Sequence, residues 1–192
     1  MIRTNQRQQT KLKPVEEEKT RLIASLQESE ERYRSAIAAL QEGVVVHKAD
    51  GTIDACNPSA ERILGLSSDQ INGRTCLDPR WHTIHEDGSP FPGEMHPAMV
   101  SLRTGQPISH AIMGVYKPNG TLTWISINSQ PLFRTGETLP YAVVASFSDI
   151  TQRKQAELEL HQLKERLQFL LSSSPAVIFT CKPSGNYDIT YI

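Results

Sequence analysis

The sequence predicts an α+β domain held between two amphipathic helices, and three observations carry that prediction. Segments 14–42 and 151–174 place apolar residues at alternating three- and four-residue steps, the seam of a helix that packs on another helix. Between them the pattern shortens to strand-like runs bounded by Gly, Asn, Asp and Pro turns, interleaved with short helical stretches. After the second long helix a strand, a turn and a strand follow, repeating the order at the start of the domain.

The 192 residues suffice for one to two domains, and 38% hydrophobic content supports a core with ample exposed surface. A net charge of −1 provides no basic field, so nucleic acid is not an expected partner. No apolar run approaches the roughly 20 residues of a membrane span. The polar start Met1–Arg7 is followed by no apolar stretch of a secretory signal. No membrane insertion and a cytoplasmic location are therefore expected. Cys56, Cys76 and Cys181 are odd in number and far apart, and no CxxC pair occurs, so neither a disulfide framework nor a cysteine-rich zinc site is expected.

Residues 1–13, rich in Gln, Lys and Arg without an apolar period, are expected to be disordered. Over 14–42, Ile23, Leu26, Tyr33, Ile37 and Leu40 form the stripe, with Glu30 at one seam position and Gly43 as terminator. So narrow a stripe favours pairing with a second helix, hence a homodimer through 14–42 and 151–174.

Val44–Lys48 and Thr52–Cys56 read as strands around an Asp50-Gly51 turn. Asn57 caps a helix that opens on Pro58 and ends near Gly65. Ser67 and Gln70 make a capping box for another helical turn. Residues 74–93 look irregular, with Pro79, Gly88, Pro90, Pro92 and Gly93. A helix is expected from Glu94 to Arg103, before Gly105. Strands follow over Ile108–Tyr116, Thr121–Asn128 and Tyr141–Ser148, the first two joined at Asn119-Gly120.

From Thr151, Ala156, Leu160, Leu163, Leu167 and Leu170 form an uninterrupted stripe up to Ser172–Pro175. Residues 176–182 and 187–192 read as two strands. Two strands alone cannot bury a core, so 175–192 are expected to be the truncated start of a second domain of the same kind.

Several motifs in this order resemble the PAS domain family over about residues 30–152. Glu28–Arg34 looks like the helical lead-in, Ala49–Ile53 like the first hairpin and Asn57–Gly65 like the first helix. Ile71–Arg74 resembles the turn after it, Pro118–Trp124 the later hairpin, and Asp149-Ile150-Thr151 with Arg153-Lys154 the exit motif. Leu170–Ile178 resembles a second PAS opening. The resemblance implies a PAS domain at 43–150 with a five-stranded antiparallel sheet and helices on one face. It also implies a sensory module upstream of an output domain not present in this chain, a histidine kinase of a two-component system or a diguanylate cyclase.

Within the chain no catalytic group is expected. The flavin-binding branch of the family carries a reactive cysteine, with which Cys76 aligns. Thr75, Leu77, Asp78, Pro79 and Arg80 replace the polar and aromatic residues around it, so flavin is not expected. His96 is the candidate haem ligand, but Pro97 follows it and nothing else marks a haem pocket. His82, His85 and Cys76 have no known metal-ligand spacing. His161 lacks the acidic, Arg and Pro neighbours of a phosphoacceptor and reads as a solvated helix residue. No cofactor is predicted, and an unidentified small ligand remains open.

Asp149, Thr151 and Arg153 are the expected signal-transmission residues, because they lie where the last strand becomes the helix. Asp149 is expected to cap that helix, and Arg153 to pair with an acidic group on the domain. Val45, Met99, Leu102, Met113, Ile125 and Val144 either line a pocket or fill a core. The two leading readings are a small-molecule sensor and a ligand-free dimerisation spacer, with a haem-binding redox or gas sensor as the lesser one.

Overall fold

A computed structural model describes residues 2–78, 81–173, 179–180 and 190–191. The chain divides into two units, 1–150 and 151–192.

Helix α1 spans Ile2–Ala39, so residues 2–13 are helical where the sequence predicts disorder. Gln, Arg and Lys are good helix formers, and this stretch lacks a stripe rather than propensity. Pro14 is tolerated inside the helix at the loss of one amide donor. The predicted seam is open: Leu26 and Tyr33 are 67% and 68% exposed, and Ile23, Ile37 and Leu40 are exposed as well.

Strands β1 (Gly43–Lys48) and β2 (Ile53–Cys56) form the predicted hairpin, with Gly51 at φ 84°. The Asp50 carboxylate accepts from the Thr52 amide at 2.9 Å and its hydroxyl at 2.6 Å, which closes the turn. Helix α2 (Pro58–Leu64) starts where Asn57 Oδ1 accepts from the Ala60 amide at 2.9 Å, and it ends on Gly65 at φ 69°. At the start of α3 (Ser68–Ile71) the predicted capping box forms between Ser67 and Gln70, with the Gln70 side chain accepting from the Ser67 amide at 3.0 Å.

The irregular segment contains a strand that the sequence does not predict, β3 (His82–Ile84), paired antiparallel with β4 (Ile108–Tyr116). Three residues among prolines and glycines are too few to show a period. The sheet therefore has six strands, not five. The helix expected from Glu94 is split into a 3-10 turn at Gly93–Met95 and α4 (Pro97–Thr104). The residue before a proline is driven out of the helical region, and His96 sits at φ −56° and ψ 139°.

Strands β5 (Leu122–Leu132) and β6 (Ala142–Asp149) complete the sheet in the order β2-β1-β6-β5-β4-β3, antiparallel throughout. Val45, Val143, Ala145, Phe147, Ile125, Ile127, Met113 and Val115 are buried in a core shared with Ala60, Ile63, Leu64 and Ala98 of α2 and α4. Ser101 of α4 is tied to Ser129 of β5 by a 2.7 Å hydroxyl bond, and Ser129 donates in turn to the Pro97 carbonyl at 3.1 Å.

In the second unit, α5 spans Thr151–Ser173 as predicted to within one residue. Its stripe is open too, with Leu160, Leu163, Leu167 and Leu170 each about half exposed. Of the predicted second hairpin, β7 (Phe179–Thr180) and β8 (Thr190–Tyr191) pair antiparallel. The rest of the expected second domain lies outside the described residues. No described helix is long and apolar enough to cross a membrane.

Candidate functional site: a cavity under the sheet

Strand alternation decides what faces inward. Val45 and His47 of β1, Met113 and Val115 of β4, Ile125 and Ile127 of β5, and Ala145 and Phe147 of β6 share one face. They line a cavity of about 80 Å³, bordered on the other side by Leu64, Pro97, Ala98, Cys76, Trp81, Thr83 and His96.

Three of the six predicted lining residues are there: Val45, Met113 and Ile125. Leu102 packs against the core without reaching the cavity. Met99 turns its thioether to the Gly51 turn, where an added Cβ would sit 3.0 Å from the sulfur. Val144 belongs to the opposite sheet face, because its neighbours Val143 and Ala145 point inward. His47 was legible as a site residue, since it is in phase with Val45. Trp81, Thr83 and His96 come from a segment without periodicity, and no local signal marks them.

The contacts of the two cavity histidines, His47 and His96, place their ring protons. A carbonyl only accepts, so the 3.2 Å contact from His47 Nδ1 to the Gly51 carbonyl puts the proton on Nδ1. The Thr83 hydroxyl donates to the Phe91 carbonyl at 2.8 Å, so across its 3.0 Å contact with His96 Nε2 it accepts. Phe91 meets His96 edge to face at 5.5 Å and stacks on His85 at 4.0 Å. Burial pushes His47 below its ordinary value and His96 down to about 4. Burial also pushes the Cys76 thiol up to about 12, so it stays protonated.

This sets a pH dependence. Between His96's ordinary 6.5 and its folded value of about 4, the unfolded chain binds a proton that the folded chain refuses. Stability therefore falls as pH falls through that window, by roughly 3 kcal/mol at most, and His47 acts in the same direction. The exposed Asp50 and Asp87 carboxylates, held low by Thr52 and Ser89, lose their contribution only below the ordinary carboxylate range. Urea midpoints at pH 7.5 and 4.5, with NMR titration of the His96 ring, check this. A ring that titrates near 6.5 contradicts it.

Cys76, Trp81 and Thr83 also line an open cleft on the outer side, with His82, Phe91 and Tyr116, so they partition the cavity from solvent. Trp81 is held by its Nε1 donating to the Thr75 carbonyl at 3.0 Å and by Arg74 over its ring at 5.7 Å. Gly93 presses against this partition: an added Cβ would lie 2.1 Å from the Cys76 carbonyl oxygen. Among the described residues, His82, His85 and Cys76 do not gather into a metal-binding group, nor do any other three candidate ligands.

The domain also grips α1. Asn57 Nδ2 donates to the Ile37 carbonyl at 3.0 Å and the Glu42 carbonyl at 2.9 Å, while Oδ1 accepts from the Val44 and Ala60 amides. The Ser59 hydroxyl donates to the Leu40 carbonyl at 2.6 Å, and Arg62 reaches the Gln41 carbonyl at 3.3 Å. The start of α2 thus supplies donors to the Ile37 carbonyl in the last turn of α1 and to the Leu40, Gln41 and Glu42 carbonyls just beyond it.

Asp149 ends β6 opposite Ile125, and Ile150 donates its amide to the Trp124 carbonyl at 2.8 Å. Thr151 is the first residue of α5. Arg153 pairs with Glu157 at 3.6 Å, one turn along the same helix, where the sequence expects an acidic group on the domain. The four-residue spacing makes that partner a ready neighbour. His161 is solvated, as expected, and lies 3.2 Å from Glu165.

A family model described as a PAS domain matches residues 41–152. Among solved structures, the chain is similar to the PAS domain of an HTR-like protein from Haloarcula marismortui. The identity is 17% and the TM-score 0.54, over 68% of this chain and 99% of that one. It is similar to a sensory box histidine kinase/response regulator structure from Burkholderia thailandensis, at 20% identity and a TM-score of 0.50, over 71% and 98%. It is also similar to a PAS domain from Colwellia psychrerythraea, at 17% and 0.50, over 64% and 97%. At these identities the likeness is one of fold. No curated protein matches the sequence.

Proposed function

The chain belongs to the PAS domain family, whose members are sensory modules, and on that premise we propose that it relays occupancy of its cavity through its flanking helices. The observation that carries this reading is the position of the cavity wall. Ala145 and Phe147 lie on β6, and the chain passes from β6 into α5 with only Ile150 between. On the other side Leu64 lines the cavity from the end of α2 whose start grips α1. An occupant that moves these walls biases both helices, a two-state coupling. Asp149, Thr151 and Arg153 are the transmission residues in this reading.

The output domain we propose is a histidine kinase, in line with the sensory box histidine kinase among the similar folds. The chain itself carries no catalysis in this reading, and it works in the cytoplasm. Its partner is a second copy, seated on the open stripes of α1 and α5. Replacing Leu163 and Leu167 together by Glu is expected to turn a dimer into a monomer in sedimentation analysis. A monomeric parent chain, or a variant that stays dimeric, contradicts the pairing.

The cavity volume supports a small occupant rather than flavin or haem, since about 80 Å³ falls far below the ~300 Å³ at which drug-sized pockets begin. The same small volume favours the second reading, a ligand-free dimerisation spacer. Mass spectrometry under native conditions separates the two. A retained small molecule of defined mass supports the sensor, and an empty chain that binds no probe supports the spacer.

A further inference from the structure

Two buried imidazoles face one apolar cavity: His47 is 4% exposed and His96 6%. His47 already donates through Nδ1 to the Gly51 carbonyl, so its neutral ring is left with Nε2, a lone pair without a proton. His96 donates through Nε2 to Thr83, whose own proton is committed to the Phe91 carbonyl. Apart from the Cys76 thiol, a weak S–H donor, the polar groups of the cavity are thus acceptors, or donors already in use.

We propose that the cavity selects a small neutral molecule whose apolar body carries one N–H or O–H donor, received by His47 Nε2. This rests on the ligand-sensing reading above and names its ligand class. An anion requires a protonated imidazole, and burial opposes that charge at both rings. A purely apolar occupant leaves the lone pair dry, which lowers affinity about tenfold against a donor of equal shape. The space limits the body to about one five-membered ring: an apolar protein cavity of roughly 150 Å³ holds benzene, and this one has about 80 Å³.

Pyrrole, furan and butyrate test the proposal on the intact chain, by titration followed in NMR with ¹⁵N-labelled histidine. Pyrrole and furan share a shape, and only pyrrole carries the donor. The expected result is pyrrole binding about tenfold tighter than furan, no binding of butyrate, and a shift of the His47 Nε2 resonance on adding pyrrole. The wild-type resonance serves as readout, so no variant has to fold. In a His47→Leu variant the pyrrole preference is expected to vanish while furan still binds. Equal binding of pyrrole and furan, tighter binding of butyrate, or a pyrrole preference without a shift at His47 overturns this inference and leaves the sensor reading standing. Binding of none of the three overturns both.

Discussion

Replacing Asn57 by Ala is expected to destabilise the domain by about 3 kcal/mol, more than a lost helix cap alone, which costs about 1 kcal/mol. The side chain is 4% exposed and all four of its hydrogen-bonding positions are used. Truncation strips the Ala60 amide of its cap and leaves the Val44 amide, at the start of the inner strand β1, without its partner. It also takes one donor from the Ile37 carbonyl of α1, which keeps only the Leu40 amide, and one from the Glu42 carbonyl beyond the helix. The effect has two readouts: a lower urea midpoint, and faster amide exchange at Val44 and Ala60. A loss below about 1 kcal/mol means that water replaces these bonds without penalty and that Asn57 is only a cap.

Gly93→Ala is expected to cost about 2–3 kcal/mol through overpacking. The added Cβ would meet the Cys76 oxygen at 2.1 Å, the Cys76 carbonyl carbon at 2.7 Å and the Leu77 Cα at 3.1 Å. These are backbone atoms, so no rotamer change relieves the overlap. The 3-10 turn and the Cys76 segment must separate, which opens the partition between cavity and solvent. Cys76 in the parent chain is a half-buried thiol with its ionisation pushed up to about 12, so it reacts slowly with thiol reagents. In the variant its reaction is expected to speed up several-fold, while Cys56 serves as internal control. Unchanged stability and unchanged Cys76 reactivity contradict the close contact.

What the sequence made legible follows from the range of each signal. The Asp50-Gly51 and Asn119-Gly120 turns, the Asn57 cap and the Gly65 and Gly105 stops each rest on a few adjacent residues, and the structure bears them out. The break at His96 was within reach of the same local rule, because Pro97 alone dictates it. β3 was not, since three residues have no period and its pairing with β4 is decided across some thirty residues of chain. Val144 shows how a hydrophobic residue misleads when strand phase is ignored: it is apolar, adjacent to the core and on the wrong face. The polar side of the cavity was least legible. His47 follows strand phase, but Thr83, Trp81 and His96 converge only once the sheet has fixed where their segment runs.

Arg153 qualifies the transmission mechanism. Its pairing with Glu157 lies within α5, so it stiffens the first turns of that helix, and an exposed pair of this kind contributes only about 0.5 kcal/mol. In the proposed relay the larger part falls to Asp149 and Thr151, at the junction itself.

One coupling, between the cavity and the helices, underlies the proposed relay. Amide NMR spectra of the intact chain, with and without saturating pyrrole, test it most directly. The account predicts shifts at the cavity-wall amides of Val45, Ala145 and Phe147, and with them at Ile150, Thr151 and Arg153 on one side and at Leu40–Glu42 on the other. An Asp149→Ala chain is predicted to keep the wall shifts and lose those at Thr151 and Arg153. Wall shifts in the unsubstituted chain that stop at the domain, with the residues of both junctions unmoved, would contradict it.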